Sequence, residues 1–528
     1  MTEASAIESS GRSREAPRAR SIVIGGSAIL LAITSAKLLL HFLAIHRYGF
    51  FRDELYYIAC SQHLAWGYVD QPPLIAGIAW LARHLFGDSL AAYRVFPILA
   101  GGATVFLTGY LARELGGGSF AQFLSAAAIL FAPLCLAMHS FLSMNAFEPV
   151  FWILCAWIAI RIGKGAGQHW WLLFGAISGV GLENKHTVLV FGFAIVAGLL
   201  LTGRVALIRS KWIWAGGLIA LALFLPNLLW EAHNGWPQIE VVRNAQEYKN
   251  VHLTALRFLF EQVLFMQPVT LPLWVGGLWW YLFAPEGREF RFLGWTYLIV
   301  LATFMVLGGK SYYPLPVYPL LMAAGGVAFE SFAARSLDRR WIKIAYPAAL
   351  VLGGLITVPF GVPVLPVETF SRYVEALPYS RWVKTERDAT APLPQIYADM
   401  FGWENISSTV ARVYHELPQR EQAGCAILAG NYGEAGAIDH FGPKLGLPRS
   451  ISGHNNYFLW GPRDYSGACV VLFGERAEEH KLLFDEVTPA ATISNPRGMP
   501  SEQSLTVYIC RKPRAPLAEL WPQFKLII

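Results

Sequence analysis

The chain has 528 residues, of which 55% are hydrophobic and 15% charged, and its mean hydropathy is +0.40. Soluble domains carry about 25% charged residues, so this composition excludes a disordered chain, a disulfide-stapled secreted module and a typical cytosolic enzyme. The net charge of +6 is spread along the chain rather than gathered in one basic block, so nucleic-acid binding is not indicated and a multi-span membrane protein is predicted.

Apolar stretches recur from residue 21 to residue 360. A membrane-spanning helix needs about 20 mostly apolar residues, and the pattern predicts about eleven such helices. The two predicted helices on either side of residues 183–186 are short. The predicted spans are residues 21–44, 93–111, 120–136, 145–160, 170–182, 187–202, 212–230, 267–283, 292–308, 313–332 and 344–360.

Basic residues are unevenly distributed between the two sets of loops. The polar tail, residues 1–20, contains four arginines, and such flanks stay in the cytoplasm. We therefore predict a cytoplasmic N-terminus. Alternation of the spans then places most basic loop residues on that side, namely Arg113, Arg161, Lys164, Arg204, Arg209, Lys211, Arg288, Arg291, Arg335, Arg339, Arg340 and Lys343. The short opposite loops contain only Lys185 and Lys310, which supports this topology.

Three larger segments fall on the non-cytoplasmic side: residues 47–92, 231–266 and 361–528. The third is richer in charge and alternates strand-like and helix-like runs, which indicates a small α/β domain on the membrane surface. Its strand-like runs are residues 425–429, 469–473 and 505–510, and its helix-like runs are residues 395–416 and 475–484. The predicted fold is thus a multi-span α-helical membrane domain, residues 21–360, followed by an extracytoplasmic α/β domain.

The first outer loop, FFRDELYYIACSQHLAWGYVDQPPLIAGIAWLARHLFG, predicts two short helices. Asp53 occupies a position typical of an N-cap, and Glu54 lies in the first turn. The DQPP segment at 70–73 suits the start of the second helix. That helix places one apolar face toward the membrane interface, formed by Leu74, Ile78, Leu81 and Leu85.

Asp53 has two interpretations. It is a helix cap, or it is part of a reactive site, because polar residues cluster in the same loop and Arg94 opens the next span. The clustered residues are Glu54, Tyr56, Tyr57, Tyr68, Asp70 and Gln71. Acidic and basic groups at membrane depth are costly unless they are paired or used. A carboxylate beside a hydroxyl acceptor can serve as a general base.

Two cationic segments interrupt the apolar runs on the same side: Lys185-His186 and Lys310-Ser311-Tyr312-Tyr313. A lipid-linked phosphate lies at the membrane interface and needs cations and hydrogen-bond donors there. The alternative for each lysine is that its side chain only reaches toward water. The outer segment 231–266 predicts an amphipathic helix after Pro237, either a lid or a solvated connection.

The C-terminal segment contains two unusual loops. GNYGEAGAIDHFG at 430–442 follows a strand and opens a helix, where backbone N–H groups can hold an anion, although it lacks a nucleotide-binding spacing. SGHNNYFLWGP at 452–462 suits stacking on sugar rings, or packing against the membrane domain. The chain has no CxxC motif, no DxD run and no His/Cys cluster, so we expect no metal and no cofactor.

The run RDELYY…DQPPL, followed by AYRVFPILAG, resembles the first lumenal loop of the GT-C membrane glycosyltransferases. The resemblance is to the branch that includes protein O-mannosyltransferases, the lipid A aminoarabinose transferase and rhizobial galacturonosyltransferases. It covers roughly residues 20–335. Supporting segments are SMNAFEPVFW at 143–152, GVGLENKHTVLVF at 179–191 and GGKSYYPLPVYPLL at 308–321.

The resemblance implies transfer of a sugar from a polyprenyl-phosphate carrier to an acceptor outside the cytoplasm, in the bacterial inner membrane. The acceptor would be lipid A, another envelope glycan or a protein. Asp53 and Glu54 match the acidic residues that meet the acceptor. Tyr56 and Asp70 would line the substrate site with them. Where relatives have Lys, this chain has Gln71, which is expected to meet the carrier phosphate together with the cations and hydroxyls of Arg94, Lys185, His186, Lys310, Tyr312 and Tyr313.

A second departure from the family pattern is Asn145, where many relatives have Asp. Glu148 lies one helical turn further on and could supply the charge. A transporter or flippase of lipid-linked sugars is the alternative function. A transporter should bury its charges in mid-span, whereas most charged residues here lie in long outer loops, which favours a transferase.

Overall fold

The computed structural model describes residues 16–251, 253–335, 338, 340–377 and 393–528. The first half of the membrane domain is helical, with two short helices, α2 and α3, in the first outer loop. Its helices are α1 (Ala16–Ala44), α2 (Arg52–Ser61), α3 (Leu74–Phe86), α4 (Leu90–Glu114), α5 (Ser119–Leu130), α6 (Pro133–Met138), α7 (Met144–Gly163), α8 (Trp170–Asn184) and α9 (Val188–Leu201).

The second half of the membrane domain continues the bundle. Its helices are α10 (Val205–Ile208), α11 (Lys211–His233), α12 (Pro237–Asn244), α13 (Ala255–Phe265), α14 (Leu271–Phe283), α15 (Arg291–Val306), α16 (Tyr318–Ala334) and α17 (Ile342–Gly361). A single π-helical turn, Ala245–Lys249, follows α12. As predicted, α12 begins at Pro237, whose missing N–H suits the first turn of a helix.

Each predicted span coincides with a helix, but fewer helices are long enough to cross a bilayer alone. Within the described residues, seven are long and apolar enough, or eight if the bent pair α13 and α14 forms one broken span. Three of the eleven predicted spans correspond to helices that are too short to cross a bilayer alone, since α5, α8 and α9 have 12, 15 and 14 residues. At 1.5 Å per residue such helices reach about 18–23 Å. Pro133 separates α5 from α6 and so prevents a longer helix.

The C-terminal segment folds into a mixed sheet with surrounding helices. The helices are α18 (Val367–Ala376), α19 (Gln395–Ala398), α20 (Trp403–Glu416), α21 (Gln419–Gln422), α22 (Tyr432–Phe441), α23 (Asn456–Trp460), α24 (Ala477–His480) and α25 (Leu517–Leu520). The strands are β1 (Cys425–Ala429), β2 (Ile451–Ser452), β3 (Cys469–Phe473), β4 (Phe484–Ser494) and β5 (Ser504–Pro513), in the order β2-β1-β3-β5-β4. β1 is parallel to β2 and β3, whereas β5 is antiparallel to β3 and β4.

Several details of this domain differ from the sequence prediction. β2 and β4 were not predicted, since β2 has two residues and the burial of β4 does not alternate. The predicted helix at 395–416 is broken between α19 and α20, where Gly402 has a positive φ of 101°. Cys425 and Cys469 are register partners on β1 and β3 and form a disulfide.

One continuous core joins the C-terminal domain to the first outer loop. Buried side chains of α2, α3, α20, α22 and the sheet belong to a single hydrophobic cluster. α22 lies directly on α2, because Gly433 and Gly436 face it without a side chain. A Cβ at Gly436 would stand 2.9 Å from the carbonyl of Leu55, and one at Gly433 would stand 2.4 Å from the side chain of Arg52. The two glycines therefore set how closely the domain approaches the loop.

The outer segment 231–266 is held between the membrane domain and the end of the chain. Lys525 pairs with Glu240 at 2.8 Å, and Asn244 Nδ2 donates to the carbonyl of Ile527. Gln246 Nε2 donates to the carbonyl of Leu307 on the membrane domain. These contacts argue against a freely solvated connection, and a lid stays a prediction.

Candidate functional site

The first outer loop begins its helix two residues earlier than the sequence pattern indicates. Phe51 is the N-cap of α2, so Asp53 lies within the first turn. The backbone N–H of Phe51 is bound by Glu54 Oε2 at 2.8 Å. Asp53 is therefore not the cap, and its carboxylate is turned toward another part of the molecule.

Asp53 meets the C-terminal domain. The hydroxyl of Tyr432, the first residue of α22, donates to Asp53 Oδ1 at 2.8 Å. The Asp53 side chain is partly exposed, and within the described residues Oδ2 accepts no hydrogen bond. A carboxylate held through one oxygen presents the other to a ligand.

A second carboxylate, Asp70, lies in the same loop. Tyr56 donates to its Oδ1 at 2.8 Å. Burial raises the pKa of Asp70 from 3.8 to about 6, the Tyr56 hydrogen bond lowers it, and the charge of Asp53 raises it again. Two carboxylates thus lie close enough to affect one another.

Tyr57 is a buried residue of the helix that contains Asp53. Burial raises the pKa of its hydroxyl well above the usual value. The neighbouring groups that raise this pKa further are Asp53, Asp70, Tyr432 and Tyr312. The carboxylate pair and Tyr312, which belongs to the other predicted half of the site, therefore all lie within electrostatic range of Tyr57.

Lys185 is the centre of that other half. Its Nζ donates to Asn145 Oδ1 at 2.7 Å and to Glu148 Oε2 at 3.2 Å, and lies 4.5 Å from the ring centre of Tyr313. The Tyr312 ring lies 5.9 Å away. The structure thus brings together five residues that the sequence placed on separate segments. Lys185 does not simply extend into water, since its side chain is 13% exposed.

Lys310 and the outer segment 231–266 close one side of this group. Lys310 and Ser311 line a small cavity with Asn250 and Leu253. The charge of the neighbouring Lys249 acts on Asp70 and lowers its pKa. Lys185 thus lies near the Tyr312 ring, the charge of Lys249 acts on Asp70, and Lys310 lies beside the segment that follows Lys249.

Arg94 and Glu54 form a buried ion pair. Arg94 Nη2 lies 3.0 Å from Glu54 Oε2, and the two side chains are 1% and 0% exposed. The five N–H groups of Arg94 bond to both Glu54 oxygens and to backbone carbonyls, those of Ile45, Arg47 and Gly49. Glu54 also accepts from the N–H of Leu142. The geometry does not support the predicted roles of Arg94 in phosphate binding and Glu54 in catalysis, because neither presents a free polar atom.

Two further predicted phosphate ligands also point elsewhere. The Gln71 side chain is completely buried, and its Nε2 lies 3.7 Å from Cys60 Sγ. His186 Nε2 lies 3.0 Å from Asn227 Oδ1 on α11, while Asn227 Nδ2 donates to the carbonyl of Trp66. Gln71 therefore packs inside the loop, and His186 helps to attach the loop to α11.

The two unusual loops of the C-terminal domain serve its folding and docking. At the start of α22, Asn431 Oδ1 accepts from the N–H groups of Gly433 and Glu434, so these donors are not open to an anion. Asn456 Oδ1 accepts from the N–H of Val69 at 2.6 Å, which confirms packing against the first loop. Among the described residues, no group of three or more His, Cys, Asp or Glu side chains is placed to hold a metal.

Sequence reasoning missed Tyr432 and Lys249 as site residues. Tyr432 lies 379 positions from Asp53 along the chain, and no local pattern links the two. Lys249 lies in a polar run of residues, and the sequence does not distinguish it from an ordinary exposed lysine. The position of Tyr432 directly after a strand, in the first turn of a helix, was the available signal.

Residues 70–230 match the family model described as Dolichyl-phosphate-mannose-protein mannosyltransferase. A search of curated protein sequences finds no match. Among solved structures, the chain is similar to ArnT from Cupriavidus metallidurans bound to undecaprenyl phosphate, with a TM-score of 0.62 and 15% identity over 90% of this chain and 97% of that one. The apo state of that protein gives a TM-score of 0.57 and 13% identity over the same shares. These matches confirm the predicted resemblance and the fold class.

The Arg94–Glu54 pair yields a stability prediction. In Glu54→Gln the Arg94 charge stays buried without its counter-ion, which costs about 3–5 kcal/mol. We expect a large fall in the thermal unfolding temperature of the purified protein. In the matched control Glu416→Gln, which removes an exposed partner of Arg412, the change should stay below about 1 kcal/mol. Equal, small effects of the two substitutions would contradict the structural role.

Asp70 predicts a pH-dependent change in stability. Its raised pKa means that the folded state loses stability as pH rises from about 4 to about 6, and this stability remains lost at higher pH. Asp70→Asn removes that loss. The variant should therefore unfold a few degrees above the wild type at pH 8 and at the same temperature at pH 4. The exposed control Asp464→Asn should show no such difference; a pH-independent effect of Asp70→Asn would refute the assignment.

Proposed function

We propose that this chain, a membrane glycosyltransferase of the GT-C superfamily, moves a sugar from a polyprenyl-phosphate carrier to an acceptor outside the cytoplasm. The observation that carries the proposal is the position of Asp53. Its carboxylate is oriented by Tyr432 at 2.8 Å and shares Tyr57 as a neighbour with Tyr312 of the lysine-containing half. These neighbours support the assignment of a proton acceptor and a phosphate-binding group to one site.

Asp53 would act on the acceptor. An acceptor hydroxyl attacks the anomeric carbon of the sugar while the bond between that carbon and the carrier phosphate oxygen breaks. The hydroxyl proton passes to Asp53, and the polyprenyl phosphate leaves with the bonding electrons. Tyr432 keeps Asp53 Oδ1 occupied, so Oδ2 is the oxygen available to the proton.

Lysines and tyrosines would hold the carrier phosphate. Lys185 and Lys310 supply positive charge that stabilises the leaving phosphate, and Tyr312 and Tyr313 supply hydroxyl donors. Asn145 and Glu148 orient the Lys185 ammonium group. Lys249, on the outer segment 231–266, would also contribute positive charge to the phosphate site. Together these cations would replace the lysine that relatives have at the position of Gln71. ArnT, bound to undecaprenyl phosphate in its solved structure, supports this donor class.

The compartment follows from two observations. Positively charged flanks favour a cytoplasmic N-terminus, which would place the C-terminal domain in the periplasm of a bacterial inner-membrane protein. The disulfide between Cys425 and Cys469 supports this assignment, because disulfides persist in oxidising compartments. The acceptor would then be lipid A, an envelope glycan or a protein.

A reconstituted assay distinguishes the proposal from a flippase. The full chain in liposomes is given undecaprenyl-phosphate mannose, galacturonic acid or aminoarabinose in separate reactions, with a lipid A-containing envelope extract as acceptor source. Release of free undecaprenyl phosphate with labelled acceptor supports transfer. Movement of intact labelled lipid between leaflets, without release, would overturn it.

Asp53→Asn tests the proton acceptor. Loss of a general base lowers rates by about 10²–10⁴-fold, so sugar transfer should fall at least 100-fold while the unfolding temperature stays within a few degrees of wild type. The control Asp464→Asn removes an exposed carboxylate of the same domain that holds Tyr432 and should retain full activity. Normal turnover by Asp53→Asn would exclude this role.

Lys310→Gln tests the donor side. Loss of one charged contact to phosphate weakens binding by about tenfold, so the KM for the lipid-linked sugar should rise about tenfold with a smaller change in kcat. Lys444→Gln, an exposed lysine of the C-terminal domain, serves as the control. An unchanged KM in Lys310→Gln would assign this lysine to packing.

A further inference from the structure

A separate cavity of about 380 Å³ lies at the other end of α2, between the first outer loop and the C-terminal domain. Its walls include Ser61, Gln62, Trp80, Arg83, His84 and Arg449. Its volume lies in the range of ligand pockets, about 300–1,000 Å³. A helix rises about 1.5 Å per residue, so Ser61 is about 12 Å along α2 from Asp53. The cavity is therefore distinct from the proposed transfer site.

The cavity is positively charged. Arg449 Nη1 lies 3.3 Å from His63 Nε2, and its other N–H groups make no hydrogen bond within the described residues. Burial lowers the pKa of His63, and the charges of Arg449 and Arg463 lower it further, so the imidazole is neutral and accepts from Arg449. Arg83 has a half-exposed ion pair with Asp88 at 3.5 Å, which contributes little binding energy.

Aromatic rings make the walls rigid. The His84 and Trp80 rings lie 4.0 Å apart, and His84 Nδ1 is 2.7 Å from the carbonyl of Trp80. On the opposite side the His63 ring packs on Trp460 with ring centres 4.5 Å apart. Arg449 thus lies against a packed His63 ring, and Arg83 lies on the same helix as the packed Trp80 and His84 rings.

The segments that line the cavity also carry exposed apolar side chains. Leu85 is 60% exposed, Phe86 51% and Trp66 65%, although the opposite face of α3 is buried against the protein. Exposed aliphatic and aromatic side chains beside cations are typical of a surface that lies in the membrane interface. The segments that form the cavity are therefore suited to a position at lipid headgroups.

We propose that this cavity binds the phosphate headgroup of an anionic lipid in the outer leaflet of the membrane. Arginine binds phosphate oxygens with paired N–H donors, and Arg83 and Arg449 offer such donors from two segments of the chain. The acyl chains would lie along the exposed apolar face of α3. Binding would attach the first outer loop and the C-terminal domain to the same lipid, independently of the reaction at Asp53.

Lipid retention tests the proposal. The full chain is placed in phosphatidylcholine nanodiscs that contain a minor fraction of phosphatidylglycerol, and retained phosphatidylglycerol is counted by native mass spectrometry. Wild type should keep one phosphatidylglycerol more than the double variant Arg83→Gln, Arg449→Gln, whose affinity should fall at least tenfold. The single variant Arg449→Gln should be intermediate, so that misfolding of the double variant does not decide the result.

Arg514→Gln is the matched control, because Arg514 is an exposed arginine paired with Asp485 elsewhere on the same domain. It should retain lipid as wild type does. Unchanged retention in both cavity variants would overturn the proposal. A parallel titration uses inorganic phosphate without lipid: saturation at low phosphate concentration with no preference for phosphatidylglycerol would show a site for free anions and would equally overturn it.

Discussion

The buried ion pair between Arg94 and Glu54 fixes the first outer loop on the membrane bundle. Arg94 lies on α4, and its guanidinium also binds the carbonyls that connect α1 to α2. Glu54 lies next to Asp53 in the first turn of α2, so the pair sets the position of the proposed proton acceptor without touching substrate. An ion pair this deeply buried is costly unless each polar atom is satisfied, and here the hydrogen bonds satisfy both partners.

The second constraint on the site is the packing of the C-terminal domain against the first outer loop. α22 approaches α2 closely because glycine occupies the two facing positions, and this approach delivers the Tyr432 hydroxyl to Asp53. Asn456 secures the same contact at Val69. The site is therefore built from two distant parts of the chain, and its electrostatics depend on their shared core.

Hydropathy located the spans because a bilayer demands long apolar runs, but it could not show where Pro133 and short loops divide them. The convergence of Asn145, Glu148, Lys185 and Tyr313 was predictable, since all four lie at helix ends on one side of the bundle. The contacts of Gln71 and Arg94 were not predictable, because the sequence shows their chemical groups but not the residues to which those groups bind. Tyr432 and the disulfide partners required a tertiary structure to bring them into contact.

The contribution of Tyr432 also has a consequence for biogenesis. Ribosomes make the first outer loop early and residue 432 late, so the carboxylate of Asp53 remains without its hydroxyl partner until the last fifth of the polypeptide has been translated and folded. A prematurely terminated product would insert into the membrane yet lack an assembled site. Maturation of the chain thus controls when its chemistry can start.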